Sequence, residues 1–303
     1  LKKYVKAPHS DETPHSDATP HSDATPHSDA TPHSDAGQNL KSSKRRVYLF
    51  ADEFTDLQEA ELGITFVKLF RRLGYEVIVP NHKESGRAAI SKGCLKLAKK
   101  YAEQNLASLK DIITDDTPLV GIEPSCILTF RDEYPDLVAP ERRKKAQELG
   151  KHCLLYDEFL WREVEAGRIS ADDFNTTEVE IWLHGHCHQK ALVGIEKTAA
   201  LLSLPKNAKV NVIPSGCCGM AGSFGYEKKH YKESIAIGEQ ILFPTIRKAF
   251  EKTKPTDIGE LSTSSLQHPT SNDRSPKLSL VAAPGTSCRT QIFDGTGIRA
   301  HHP

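Results

Sequence analysis

Short apolar runs alternate along the chain with longer stretches of helical period. Val47-Tyr48-Leu49-Phe50 reads as a buried strand. Residues 57–73 carry apolar positions at helical spacing and stop at Gly74, a natural C-cap. A second strand is expected over 75–79, a long helix over 88–110, and a third strand over 118–122 that runs into Cys126. Helical segments at 141–149 and 157–167 close this half. The second half repeats the course. A strand over 179–183 runs into His184-Gly185-His186-Cys187-His188, and a helix follows over 190–204. A strand over 210–213 leads to Cys217-Cys218, a helix follows over 226–252, and a strand over 278–282 leads to Cys288.

The first two strands start 28 residues apart in the first half (Val47, Tyr75) and 31 apart in the second (Val179, Val210), so internal duplication is the simplest account. Strand–helix–strand alternation implies parallel sheets with right-handed crossovers. The expected fold is α/β: two tandem, duplicated βαβ-type domains with short parallel sheets, over residues 46–170 and 175–303. Residues 252–277, rich in Ser, Thr, Pro and Asp, read as a flexible loop inserted in the second. Ligands in such sheets gather beyond the carboxyl ends of the strands. That places Cys187, Cys217, Cys218 and Cys288 on one rim, and Cys126 joins them if the two halves face each other.

Residues 8–36 repeat Pro-His-Ser-Asp-Ala-Thr with a period of six and lack the large apolar residues that offset the entropy of ordering, so 1–45 is expected to be a disordered repeat linker. This stretch reads as a disordered tether rather than a string of metal ligands at His9, His15, His21, His27 and His33. The chain opens on Leu1, not Met, and is expected to be a piece of a longer polypeptide. Forty basic residues balance forty acidic ones and are scattered, which argues against nucleic acid as a partner. No run approaches the ~18 apolar residues of a spanning helix. Seven cysteines, two of them adjacent, argue against a secreted disulfide scaffold. They fit a reducing, cytoplasmic compartment, with peripheral attachment at the inner membrane as a further expectation.

Cys217-Cys218 sits within Ser215-Gly216-Cys217-Cys218-Gly219-Met220-Ala221-Gly222. Adjacent cysteines pair only through a distorted peptide, and they fit zinc-type Cys-x2-Cys spacing poorly. Two thiolates at one small-residue turn suit a cluster of several metal atoms approached closely by backbone. Cys187, Cys217, Cys218 and Cys288 are the expected metal ligands, with Cys126 as the fifth candidate. His184, His186 and His188 are placed to tune such a centre by hydrogen bonds to its sulfurs, and Gly219 to bring a backbone N–H near it. The spacing of Gly219, Gly222 and Gly225 is not a dinucleotide fingerprint. Cys94 and Cys153 read as core residues, and Asp132-Glu133-Tyr134 as a solvated, dipole-favoured helix start. No Ser/His/Asp constellation or pair of catalytic carboxylates is present, and the catalytic residues are unknown.

His186-Cys187-His188, Cys217-Cys218-Gly219 and Thr286-Ser287-Cys288-Arg289 together resemble the cysteine-rich "CCG" domain. That domain occurs in the cysteine-rich subunit of heterodisulfide reductase and in iron–sulfur subunits of glycolate, glycerol-3-phosphate and lactate oxidation systems. The resemblance is strongest to the C-terminal part of FAD-linked oxidases, and it covers residues 46–303. It implies an iron–sulfur electron-transfer module, [4Fe-4S] or related, in an oxidoreductase. FAD would sit on an upstream flavin domain that oxidises a 2-hydroxy acid of lactate or glycolate type. A ferredoxin-like domain would be a further partner, and a quinone or other acceptor would receive the electrons. The first half departs from the pattern: Glu84-Ser85-Gly86-Arg87 stands where Cys-Cys-Gly is expected, and Ala51-Asp52-Glu53-Phe54 where His-Cys-His is expected. One cluster per chain is therefore expected. The rival readings are thiol–disulfide catalysis of heterodisulfide-reductase type and a structural zinc-binding interaction module.

Overall fold

The computed structural model describes Leu1, Val5 and residues 45–251 and 278–303; the repeat tract and the expected loop at 252–277 lie outside the described residues. Two four-stranded sheets organise the chain. The first contains β1 (Arg45–Phe50), β2 (Tyr75–Ile78), β3 (Leu119–Gly121) and β4 (Cys153–Leu155), in the order β2-β1-β3-β4. The second contains β5 (Val179–Leu183), β6 (Ala208–Val212), β7 (Leu278–Ala282) and β8 (Ala300–His301), in the order β6-β5-β7-β8. Every strand pair is parallel, so the α/β fold of two duplicated βαβ-type units is what the chain adopts.

Side chains of a strand alternate between faces, and β1 divides accordingly. Val47 and Leu49 enter one core with Phe66, Phe70 and Val120, while Phe50 enters another with Leu119, Phe130 and Cys153. The helix Ala60–Arg72 buries Gly63, Phe66, Val67 and Phe70, one stripe of helical period. Gly74, at φ +90°, ends it as expected.

The expected 57–73 helix forms as Ala60–Arg72, and a short helix, Glu53–Leu57, precedes it, capped by the Asp52 carboxyl, which accepts from the Phe54 and Thr55 N–H groups. Three other long helices of the sequence reading are broken in two. The 88–110 segment becomes Arg87–Ser91 and Leu95–Leu109, with Gly93 at φ +72° between them. That break rotates the second piece so that Ala98, Ala102, Asn105, Leu106 and Leu109 face inward. Cys94 is left exposed at its N-cap, which corrects its assignment to the core. Cys153 is buried, as expected. The 190–204 segment becomes Cys187–Leu192 and Glu196–Leu202, with Gly194 at φ +81° between them, and 226–252 becomes Tyr231–Gln240 and Leu242–Phe250. The edge strands β4 and β8 are additions to the sequence reading. They span only Cys153–Leu155 and Ala300–His301, too short for periodicity to reveal.

The halves meet through polar contacts near the carboxyl ends of the strands. Arg289 donates to Glu59 at 2.6 Å, the Thr286 N–H to Glu123 at 2.8 Å, and Gln189 to the buried Asp157 at 2.9 Å. Buried polar groups need such partners, so each bond fixes the relative placement of the two units.

Candidate metal centre

Three loops after adjacent strands build the site. β5 ends at Leu183, and its continuation His184-Gly185-His186 leads into the helix Cys187–Leu192. β6 leads to Cys217-Cys218, and β7 to Gly285 and the helix Thr286–Thr296, which carries Cys288 in its first turn. Cys187, Cys217, Cys218 and Cys288 all line one cavity of about 500 Å³, together with His186 and His188. The first half closes it with Phe54, Arg87, Ser91 and Ser125.

The four thiols converge on one cavity, with Cys218 and Cys288 offering sulfurs within 4.8 Å of each other and of a His184 ring nitrogen. The neighbouring Cys187 and Cys218 thiols, with the Gly219 N–H 3.3 Å from its sulfur, hold the Cys217 thiol well below the ordinary range. Cys288, beside Cys218, His184 and His186, is lowered as well. Cys187 and Cys218, each beside one of these sulfurs, are raised. Four thiolates this close cannot all be charged in a half-buried pocket without a cation among them.

The backbone around Cys217-Cys218 turns left-handed at Gly219 (φ +106°), Ala221 (φ +44°) and Gly222 (φ +64°). A Cβ at Gly219 would lie 2.1 Å from the Ser234 carbonyl oxygen, so only glycine fits there. Gly285 is constrained by side chains alone, since a Cβ would meet His186 Cδ2 at 2.6 Å and Cys288 Sγ at 3.2 Å. Lys190 was not singled out from the sequence. Its Nζ donates to the Ser215 and Gly216 carbonyls at 2.5 and 2.6 Å and ties the cysteine loop to the helix after Cys187.

The three histidines play different parts. His184 Nδ1 lies 2.7 Å from Ser215 Oγ, and its buried Nε2 has no partner among the described residues. His184, Cys218 and Cys288 offer ligand atoms within 4.8 Å of one another. His186 is buried against Glu123, and its Nδ1 is likewise unpartnered. Burial alone would raise the Glu123 carboxyl, yet His186, the Thr286 N–H, Ser125 and Arg289 outweigh it and hold the group below its usual range. His188 Nε2 lies 3.0 Å from Asp132 Oδ2, across the junction of the halves. Asp132 therefore orients a cavity histidine as well as meeting solvent, while Glu133 pairs with Arg87 and Tyr134 is fully buried. The helix Tyr134–Leu137 does start here, with Glu133 at its N-cap and Asp132 exposed; the contacts and the burial of Tyr134 add to the expected solvated start.

Cys126 stands apart. It is fully buried in the core beneath the first sheet, and its neighbour Ser125, not Cys126 itself, lines the cavity. Burial, then Asp52, Glu53 and Glu123, push its thiol well up, so it stays protonated. The donor chemistry and shape of the cavity suit a metal–sulfur group: four convergent thiols, a glycine-only backbone cradle and unpartnered imidazole nitrogens.

Fold and site thus define a twin α/β unit with thiols concentrated on one of its two rims. No protein-family model matches the chain. It is 28% identical over 269 residues to D-2-hydroxyglutarate dehydrogenase of Escherichia coli (strain K12), covering 88% of this chain and 22% of that protein. It is 27% identical over 262 residues to a subunit of the anaerobic glycerol-3-phosphate dehydrogenase of the same organism, covering 86% of this chain and 58% of the relative. With lactate utilization protein A of Macrococcus caseolyticus it shares 26% identity over 202 residues, 65% of this chain and 77% of the relative. The chain spans 22% of the length of the D-2-hydroxyglutarate dehydrogenases that it matches over most of its own. Its similarity is therefore to portions and subunits of oxidoreductases. Among the described residues no helix is long and apolar enough to cross a membrane.

Proposed function

We propose that Cys187, Cys217, Cys218 and Cys288 hold an iron–sulfur cluster, of [4Fe-4S] or related type, and that the chain is the electron-transfer module of a flavin-linked oxidoreductase. Bound there, such a cluster supplies one-electron transfer. The residues of the chain set its surroundings. The Gly219 N–H donates to Cys217 Sγ, His184 and His186 face Cys288, and Asp132 fixes His188 at the cavity wall. The convergence of four cysteines on one cavity, drawn from loops after three adjacent strands, carries this reading.

The likeness to D-2-hydroxyglutarate dehydrogenase and to lactate utilization protein A supports a 2-hydroxy acid as the substrate of the parent system. FAD would be held by an upstream flavin domain, with a ferredoxin-like domain as a further donor and a quinone or other acceptor downstream. The two domains are taken as 46–170 and 175–303, working in the cytoplasm or at the inner face of its membrane. Iron and acid-labile sulfide, measured with an absorption spectrum on protein purified without oxygen, test the assignment. A brown protein with about four irons is expected.

The grouping of His184, Cys218 and Cys288 favours one second reading, a zinc site of Cys/His type. Zinc without iron, in a colourless protein, would establish that reading in place of the first.

A further inference from the structure

The mouth of the thiol-lined cavity is charged on one side. From Arg87 to Lys100 the chain carries Arg87, Lys92, Lys96, Lys99 and Lys100 and no acidic residue. From Ser223 to Lys232 it carries Lys228, Lys229 and Lys232, with Glu227 as the single acid. The two segments abut. Ser91 Oγ donates to Ser223 Oγ at 3.1 Å, and Lys92 pairs with Glu227 at 2.9 Å. Glu227 is paired on its other oxygen with Lys229 at 3.1 Å, and Arg87 pairs with Glu133, so the excess positive charge is carried by the exposed Lys96, Lys99, Lys100, Lys228 and Lys232. Arg87, Lys92 and Tyr226 line the cavity, which puts the charge at its opening. Exposed apolar side chains are interspersed: Leu95 at 57%, Leu97 at 42%, Tyr226 at 58% and Tyr231 at 53%.

A chain with zero net charge that concentrates cations around one opening has a directed field, which orients and accelerates the approach of an anionic surface. Exposed tyrosines and leucines among the lysines supply contact area once the partner arrives. We propose that this face docks an acidic, separately folded electron-carrier protein, holding its redox centre over the cavity mouth. The inference rests on the electron-transfer reading above. A protein partner is favoured over an anionic membrane because the patch borders one side of the thiol-lined cavity and mixes exposed tyrosines and leucines with its lysines, as a protein interface does.

The test is binding of the whole chain to an acidic plant-type ferredoxin, measured by calorimetry at low and high salt. The double variant Lys92→Glu/Lys229→Glu is compared with Lys144→Glu/Lys145→Glu, which alters exposed lysines of the helix Arg143–Lys151 far along the chain. The expected result is binding at low salt that high salt weakens, a loss of affinity of about 10-fold or more in the first variant, and no change in the second. Equal affinity in all three proteins would overturn the proposal. So would a preference for the basic protein cytochrome c, or binding to phosphatidylserine vesicles without binding to ferredoxin. Iron analysis of the same samples separates the two ideas. A metal-free chain that still binds ferredoxin through this face would sink the electron-transfer reading and keep the acidic-partner surface.

Discussion

After β7, Gly285-Thr286-Ser287-Cys288 starts a helix whose cysteine lines the thiol cavity; after β3, Glu123-Pro124-Ser125-Cys126 starts a helix whose cysteine is buried in the core. The strands concerned hold the same place in the two sheets, third in each order. The other loops diverge in the same way. In the second half, the loops after β5 and β6 meet where Cys187 and Cys217 line one cavity, tied by Lys190 to the Ser215 and Gly216 carbonyls. In the first half, the loops after β1 and β2 meet through a carboxylate, since Glu53 accepts from the Ser85 N–H at 3.0 Å and from its Oγ at 2.6 Å. Ser85 also accepts through its carbonyl from the Tyr134 hydroxyl at 2.9 Å. Gly86 after Ser85 and Gly219 after Cys218 both have positive φ, so the turn is retained where the cysteines are not. One backbone plan is closed in the first half by hydrogen bonds between a carboxylate and a serine, and in the second it gathers four cysteines around one cavity.

The largest test of this contrast is one cysteine from each rim. Cys217→Ser should abolish bound iron and the visible spectrum, while Cys126→Ser should keep both, as read by metal analysis. Iron loss in the Cys126 variant would join the two rims into one site and break the comparison. Next come the matched glycines. Gly219→Ala forces a Cβ to within 2.1 Å of the Ser234 oxygen at φ +106°, and should cost about 3 kcal/mol in urea unfolding. Gly86→Ala meets nothing nearer than 3.5 Å and bears only the strain of φ +86°, about 1 kcal/mol. Equal costs would show that the second turn is not tighter than the first.

A smaller effect belongs to Asp52, in the first rim. Burial raises its carboxyl from 3.8 to about 7, partly opposed by its bonds to Thr55. The folded chain then holds this proton between about pH 4 and pH 7 while the unfolded chain releases it, so the group's contribution to stability is lost as pH rises through that window. Against Asp52→Asn, the unaltered protein should lose about 1 kcal/mol or more across the window in paired urea titrations. A flat difference would remove Asp52 as the cause. Smallest is Asp132→Ala, which breaks the half-exposed bond to His188 and should cost less than about 1 kcal/mol by thermal unfolding. The bound iron should be retained; its loss would promote His188 from the cavity wall to the site itself.

The sequence by itself determined the α/β class, the duplication and the four rim cysteines, because strand period, helix period and loop composition are local properties. Gly74 as a helix end and Cys153 as core were equally legible. Only the tertiary structure decided where helices break, since Gly93 and Gly194 disrupt patterns whose apolar spacing runs on through them. It also decided that Cys94 faces solvent and that Cys126 sits among Asp52, Glu53 and Glu123 rather than in the cavity. The Asp132–His188 and Lys190–Ser215 bonds span 56 and 25 positions. The first is set by how the two halves meet and the second by the pairing of β5 with β6, and no local periodicity encodes either.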